Sequence, residues 1–343
     1  MKALVWTAPE KMVFQDVPKP EPAEDEVLIR VDTVGICGSE IEGYLGHNSL
    51  RVPPLVMGHE CCGRVEAWGA RAGRFAAGTK VVINPLISCG ACPACRKGQN
   101  QLCTSRRIVG IHRPGAFGQW VAVPVTCVVP VSESLGAARA ALAEPLACSL
   151  RAARRAMQRH FRPNVLVFGA GGIGLLCAKV ARLLGAARIL LVDTQYDRLK
   201  IALDAGAADR TVHPVDDDLT RVVREATGGE GVDVVIDAAG FQPTRAQAMS
   251  VVNPGGTIMN IGLGIDGTEL PINHQIRSEI EVLGSFCYTP QDFHDAVRLL
   301  EEGRVTEEGW TASLPAAEGG RAFEDLVRGR VRQGKLFLVM EGA

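Results

Sequence analysis

The apolar and polar positions of the 343-residue chain follow one pattern up to about residue 164 and another beyond it. In the first part, short runs rich in β-branched residues are bounded by Gly and Pro: 26–36 (EVLIRVDTVGI), 62–69 (CGRVEAWG), 79–84 (TKVVIN) and 118–124 (GQWVAVP). Runs of this kind read as strands. The first 145 residues therefore predict an all-β region, with 17–26 (VPKPEPAEDE) as a polar, Pro-rich link. Over 135–160 the spacing turns helical and Ala-rich.

From 164 the texture is strand, glycine turn, helix, strand. Val165–Phe168 is an unbroken apolar run, as expected of a strand covered on both faces. Ile173, Leu176, Cys177, Val180 and Leu184 then recur at helical spacing. Further buried strands are predicted at 189–193, 232–240, 256–263 and 281–286, and the DDD at 216–218 reads as a solvated loop. Alternating strands and helices predict a doubly wound parallel sheet. A helix from 292 and a closing strand at 334–341 (GKLFLVME) return the chain to the β region. The expected organisation is α/β: a β domain of residues 1–147, rejoined by 287–343, and a parallel-sheet domain of 148–286.

Composition narrows the function classes. Hydrophobic residues make up 47%, enough for two cores, and the net charge of −1 comes without a basic tract. Nucleic acid and anionic membrane are thus unexpected partners. The first residues lack the apolar core of a signal peptide, and 165–192 is interrupted by Lys179, Arg182 and Arg188. A soluble cytoplasmic protein is the expectation. The 11 cysteines are an odd number without an export signal, which argues against a disulfide framework. Four of them, Cys89, Cys92, Cys95 and Cys103, are spaced C-x2-C-x2-C-x7-C on one loop. Four thiolates repel one another without a cation, so the spacing predicts a closed, structural zinc site.

Gly169-Ala170-Gly171-Gly172-Ile173-Gly174 is G-x-G-x-x-G between a strand and a helix, and Asp193 closes the next strand 19 residues on. Glycines let the backbone approach a pyrophosphate, the helix N-terminus meets its charge, and the acid takes the ribose hydroxyl. Asp193 repels a 2′-phosphate, which predicts NAD over NADP. Arg198 either stacks near the adenine or pairs with Asp193.

The cysteine loop, this dinucleotide motif, GHE at 58–60, GICGSE at 35–40 and AEPLA at 143–147 together resemble the zinc-dependent medium-chain dehydrogenases of the alcohol dehydrogenase superfamily. The resemblance spans the chain and is strongest to the polyol (sorbitol) and threonine dehydrogenase branch. It implies a GroES-like β-barrel domain plus a Rossmann domain, two Zn2+ (one catalytic, one structural), NAD, and a homodimer or homotetramer. It implies a secondary alcohol as substrate, such as a polyol or cyclitol; the rivals are a simple alcohol or threonine enzyme and a silent, binding-only member.

By the same resemblance, Cys37 and His59 hold the catalytic zinc with Glu60 as third ligand or as its neighbour. Glu144 either coordinates or bonds the metal's water. Ser39 relays the alcohol proton. Glu42 stands where many relatives place a relay histidine; it carries the proton, binds a polar substrate, or is solvated, and nearby His47 is a surface loop residue or its substitute. Ile261, Gly262, Leu263, Ser285 and Phe286 lie against ribose and nicotinamide. Tyr44 and Phe117 line the substrate pocket or pack in the core. Cys61 and Cys62 are expected to stay off the metal.

Overall fold

The computed structural model describes residues 1–340. The last three residues of the 287–343 segment, including the end of the predicted closing strand, lie outside the described residues.

Two large sheets carry the chain. The first has seven strands and is built on the antiparallel pair Glu26–Gly35 and Glu60–Trp68. Glu26–Gly35 is buried along most of its length, and Glu60–Trp68 is buried over its first four residues and emerges toward Trp68. Successive side chains of a strand point to opposite faces. Cys61 and Cys62 therefore pack into two different hydrophobic cores. Lys335–Val339 pairs antiparallel with Glu26–Gly35 and parallel with Thr311–Pro315, so the carboxyl-terminal strand joins the first sheet.

The second sheet has six strands, all parallel. Its spatial order is Arg210–Val212, Arg188–Val192, Asn164–Phe168, Val232–Asp237, Val252–Asn260, Glu281–Gly284. In chain order this is third, second, first, fourth, fifth, sixth, the doubly wound arrangement of dinucleotide-binding folds. Strand direction reverses its progress between the first and fourth strands, and ligands bind at the carboxyl ends there. No helix among the described residues is long and apolar enough to cross a membrane. The architecture is α/β, with a mixed-sheet domain and a Rossmann parallel-sheet domain.

Several local expectations shift. The strand expected from Cys62 begins at Glu60, because Glu60 already pairs with Gly35. The helix expected over 135–160 is two helices, Ala137–Ala140 and Ala143–Met157. Leu184 falls just past the helix Gly172–Leu183 and is 40% exposed, so it leaves the expected apolar stripe. The three aspartates are not a bare loop: Asp218 caps the helix Leu219–Ala226, Asp217 accepts from the His213 amide, and Asp216 contacts Tyr196 and His213.

The glycine turn after Phe168 is tight. Gly169 has φ of +96°, which an L side chain rarely adopts. A Cβ on Gly174 would overlap the Gly169 carbonyl, whereas a Cβ on Gly171 would meet nothing. Gly174→Ala should therefore destabilise the protein by about 1–3 kcal/mol through overpacking. Gly171→Ala should leave the melting temperature essentially unchanged. Thermal unfolding of the two variants without cofactor checks this contrast, and equal losses would contradict it.

Candidate metal centres and dinucleotide cleft

The register of the central strand pair builds the first metal centre. Gly35 stands opposite Glu60, so residues just past one strand and just before the other become neighbours. Cys37 caps the short helix Gly38–Tyr44, and His59 and Glu60 open the facing strand. The ligand atoms of Cys37, His59 and Glu60 all lie within 4.8 Å of one another. Two glycines make room: a Cβ at Gly35 would overlap Glu60 Oε2, and Gly58 takes φ of +100° against Phe117.

Glu60 is fully buried, and among the described residues the ion-pair partner of its carboxylate is the Lys335 ammonium, in direct contact with Oε2. Lys335 is itself buried; burial opposes its charge, but Glu60 and then Cys37 outweigh that and hold its pKa above the ordinary value. The Glu60 charge thus has a protein partner, supplied by the last strand, which no local sequence signal announces.

Glu40 is the second residue the sequence reading missed. Its Oε1 lies 2.8 Å from His59 Nδ1, a charge contact poorly aligned for a hydrogen bond. The Gly58 amide donates to Oε1 at 2.8 Å, and the Cys37 amide to Oε2 at 3.0 Å. A carboxylate on one ring nitrogen fixes a histidine's orientation and leaves the other nitrogen for a metal. Burial alone would lower the His59 pKa; Glu40 and Cys37 override it and raise it well above the usual range. The recoverable signal was Glu40 at three residues past the helix cap Cys37, the capping-box position.

Glu144, in the first turn of Ala143–Met157, faces the same charges but is not in the compact set of three. Burial, followed by the neighbouring Glu60, raises its pKa to about 7 against the opposing His59 and Lys335. Cys148 Sγ lies 3.8 Å from its Oε1. Ser39 Oγ lies 3.5 Å from Cys37 Sγ and accepts from Arg51 Nη2 at 3.3 Å. Glu42 is exposed and 3.2 Å from His47 Nδ1, on the solvent side of its helix. Tyr44 and Phe117 are core residues: both pack on Phe323, and the Tyr44 hydroxyl donates to the Glu10 carbonyl. Cys61 and Cys62 lie outside the metal set, and burial pushes the Cys62 thiol up to about 12.

In the second centre the sulfurs of Cys89, Cys92, Cys95 and Cys103 also fall within 4.8 Å of one another. Three separations are 3.5, 3.5 and 4.0 Å. Four sulfurs about 2.3 Å from one zinc stand about 3.8 Å apart on a tetrahedron, so the loop fits that ion. Amides of Cys89 and Cys92 point at sulfurs of the set at 3.4 Å, which favours thiolates. The first centre offers sulfur, imidazole and carboxylate, a donor set that suits zinc with a position left for substrate.

The dinucleotide residues gather at the carboxyl ends of the parallel strands. Gly169, Gly171, Gly172, Ile173 and Gly174 form the turn and first helical residues after Asn164–Phe168. Asp193, one residue past Arg188–Val192, accepts from the Ala170 amide at 2.7 Å and the Gln195 amide at 2.9 Å, tying acid to turn. Arg198 Nε has no partner, so the expected pairing with Asp193 through that atom is not formed. Ile261, Gly262 and Leu263 follow Val252–Asn260, with Gly262 packed on the 238–240 backbone and Leu263 78% exposed. Ser285 and Phe286 follow Glu281–Gly284; Arg106 from beyond the cysteine loop covers the Phe286 ring at 4.6 Å. A Cβ on Gly172 would stand 3.5 Å from Lys335 Cδ, so one side chain links the glycine turn to the Glu60 centre.

Comparison with known proteins agrees with this geometry. Residues 23–133 match the alcohol dehydrogenase GroES-like domain, and residues 172–302 match the zinc-binding dehydrogenase family. The chain is 32% identical over 335 residues to L-galactonate-5-dehydrogenase of Escherichia coli K12, covering 96% of each. It is also 32% identical to D-arabitol-phosphate dehydrogenase of Enterococcus avium, over 96% of this chain and 95% of that one. A solved structure from Sinorhizobium meliloti 1021, described as a zinc-binding dehydrogenase bound to NADP, superposes with a TM-score of 0.91 at 29% identity, covering 98% of each chain. The chain belongs to the zinc-dependent medium-chain dehydrogenase family, in the branch that holds the polyol dehydrogenases.

Proposed function

We propose that the chain oxidises a secondary alcohol of a polyol, cyclitol or similar polar hydroxy compound to the ketone, using zinc and NAD. The observation that carries this reading is the Cys37, His59 and Glu60 set standing one side chain, Lys335, away from the dinucleotide turn. Zinc held there would acidify a substrate hydroxyl, and the nicotinamide would accept the hydride. Ser39, whose hydroxyl lies 3.5 Å from Cys37 Sγ, is placed to relay the hydroxyl proton. Glu42 and His47 offer a route for that proton to solvent. Glu144, at the edge of the centre beside Cys148, would coordinate the zinc or bond its water.

The relatives named for galactonate and arabitol phosphate support a polyhydroxylated substrate. A silent, binding-only protein would need broken ligands, and every ligand position is filled. NAD rather than NADP is inferred from Asp193, although the Sinorhizobium protein binds NADP. We further propose the division into 1–147 with 287–343 and 148–286, cytoplasmic residence, and self-association through the free edge strand Glu281–Gly284.

Elemental analysis of protein never exposed to chelator should find two zincs per chain; one or none would sink the reading. Cys95→Ser should lower the melting temperature more than turnover per folded molecule, and Cys37→Ser the reverse. With cofactor varied, kcat/KM should favour NAD by at least about tenfold, and Asp193→Ala should narrow or invert that ratio. Equal values in the unmutated enzyme would assign Arg198 to a 2′-phosphate.

Glu144 gives a pH test in the zinc-free protein. Its folded pKa, about 7, is raised above the ordinary 4.5, so folding favours its protonated form. That contribution is complete below pH about 4.5 and is lost as pH rises through about 7. Glu144→Gln should therefore gain melting temperature relative to the parent between pH about 5 and about 8. A difference that stays constant across that range would contradict the assignment.

A further inference from the structure

Arg51 lies beside the first metal centre, and its charge is not accounted for by the reaction as described. The side chain is only 3% exposed. A guanidinium carries five donors and keeps its charge in proteins. Among the described residues only Nη2 of its three nitrogens has a hydrogen bond, to Ser39 Oγ; Nε and Nη1 are buried with no partner there. An unsatisfied buried donor is costly, more so on a cation, and in a native fold it calls for a missing partner.

Glu40 does not supply that partner. It is the carboxylate with the strongest electrostatic pull on Arg51, but its oxygens already face His59, the Gly58 amide and the Cys37 amide. The path of the arginine is a built one. It runs back along the helix Gly38–Tyr44 across Gly43, where a Cβ would collide with its Cδ, and ends at Ser39. Ser39 in turn touches Cys37. The fork therefore stands one hydroxyl away from a candidate metal ligand. A substrate whose reacting carbinol sits at Cys37 meets the fork with groups a few bonds along its chain.

We propose that Arg51 recognises an oxyanion on the substrate, a carboxylate or a phosphate, and that the substrate class is an acidic polyol: an aldonate or a polyol phosphate. This rests on the dehydrogenase reading above and names its substrate class. A planar guanidinium matches either anion with two parallel hydrogen bonds, and a neutral hydroxyl leaves the buried charge uncompensated. The cofactor phosphates are a poorer match. Lys335 borders the glycine turn, whereas Arg51 runs over Gly43 to Ser39, both in the β region.

The test compares the zinc-loaded parent with Arg51→Gln and Arg51→Lys, using idonate, arabitol phosphate and neutral xylitol. Turnover is read as NADH formation, and binding of each probe and of NADH by calorimetry. The parent should prefer one of the anions, and which one decides between carboxylate and phosphate. Arg51→Gln should lose about 100-fold or more in kcat/KM for that anion, with less than about fivefold loss for xylitol. Arg51→Lys, a point charge in place of a fork, should fall between them, and it decides the matter if Arg51→Gln fails to fold. A parent that prefers xylitol, equal losses for charged and neutral probes, or a loss confined to NADH affinity would each overturn the proposal. If no probe is turned over, the dehydrogenase reading fails separately. Calorimetry then decides: anion binding that disappears in Arg51→Gln supports the recognition role, and absent or unchanged binding overturns it.

Discussion

Glu60 carries a carboxylate into the interior to meet the Lys335 ammonium, and two distant parts of the chain are arranged around it. The strand Glu26–Gly35 ends in a glycine because any Cβ there would overlap that carboxylate. The last strand delivers Lys335 to it, and the pairing of Phe337 with Gly35 fixes where that lysine falls. Cys37 and His59 complete a set in which two potential anions and a histidine face one ammonium. Breaking either half of a buried ion pair leaves an uncompensated charge, so neither Glu60 nor Lys335 is free to vary alone. A zinc ion held by Cys37, His59 and Glu60 would add positive charge beside that ammonium.

The two candidate metal centres differ in the number of donors each offers. Four sulfurs on one loop would close the coordination sphere of a zinc and leave nothing for a substrate, as a structural site requires. Three mixed donors leave a position open. The open centre lies next to the glycine turn because Lys335 packs against Gly172 while its ammonium reaches Glu60. Fold and site are thus tied by one residue that enters from the far end of the sequence.

What could be read from the sequence was what is local. The cysteine loop, the glycine turn and the alternating strands each sit within a few tens of residues, and their spacing follows directly from coordination and backbone geometry. Lys335 could not be read, because its meaning depends on a strand pairing across some three hundred positions. Arg51 was equally silent: only the helix and Gly43 show that it folds back to Ser39. Glu40 was legible and was passed over in favour of Glu42, although the capping position favours the inward residue. Tyr44 and Phe117 were offered as pocket or core, and the packing on Phe323 decides for the core.

The central claim is that the open centre binds zinc through one sulfur, one imidazole and one carboxylate. X-ray absorption at the zinc edge, on fully loaded Cys62→Ala protein to remove the adjacent thiol, tests it most directly. A light-atom shell at about 2.0–2.1 Å should stand beside the sulfur shell at about 2.3 Å and be reduced in each of Glu60→Ala and His59→Ala. A spectrum with sulfur alone, or one whose light-atom shell is unchanged by both substitutions, would contradict it.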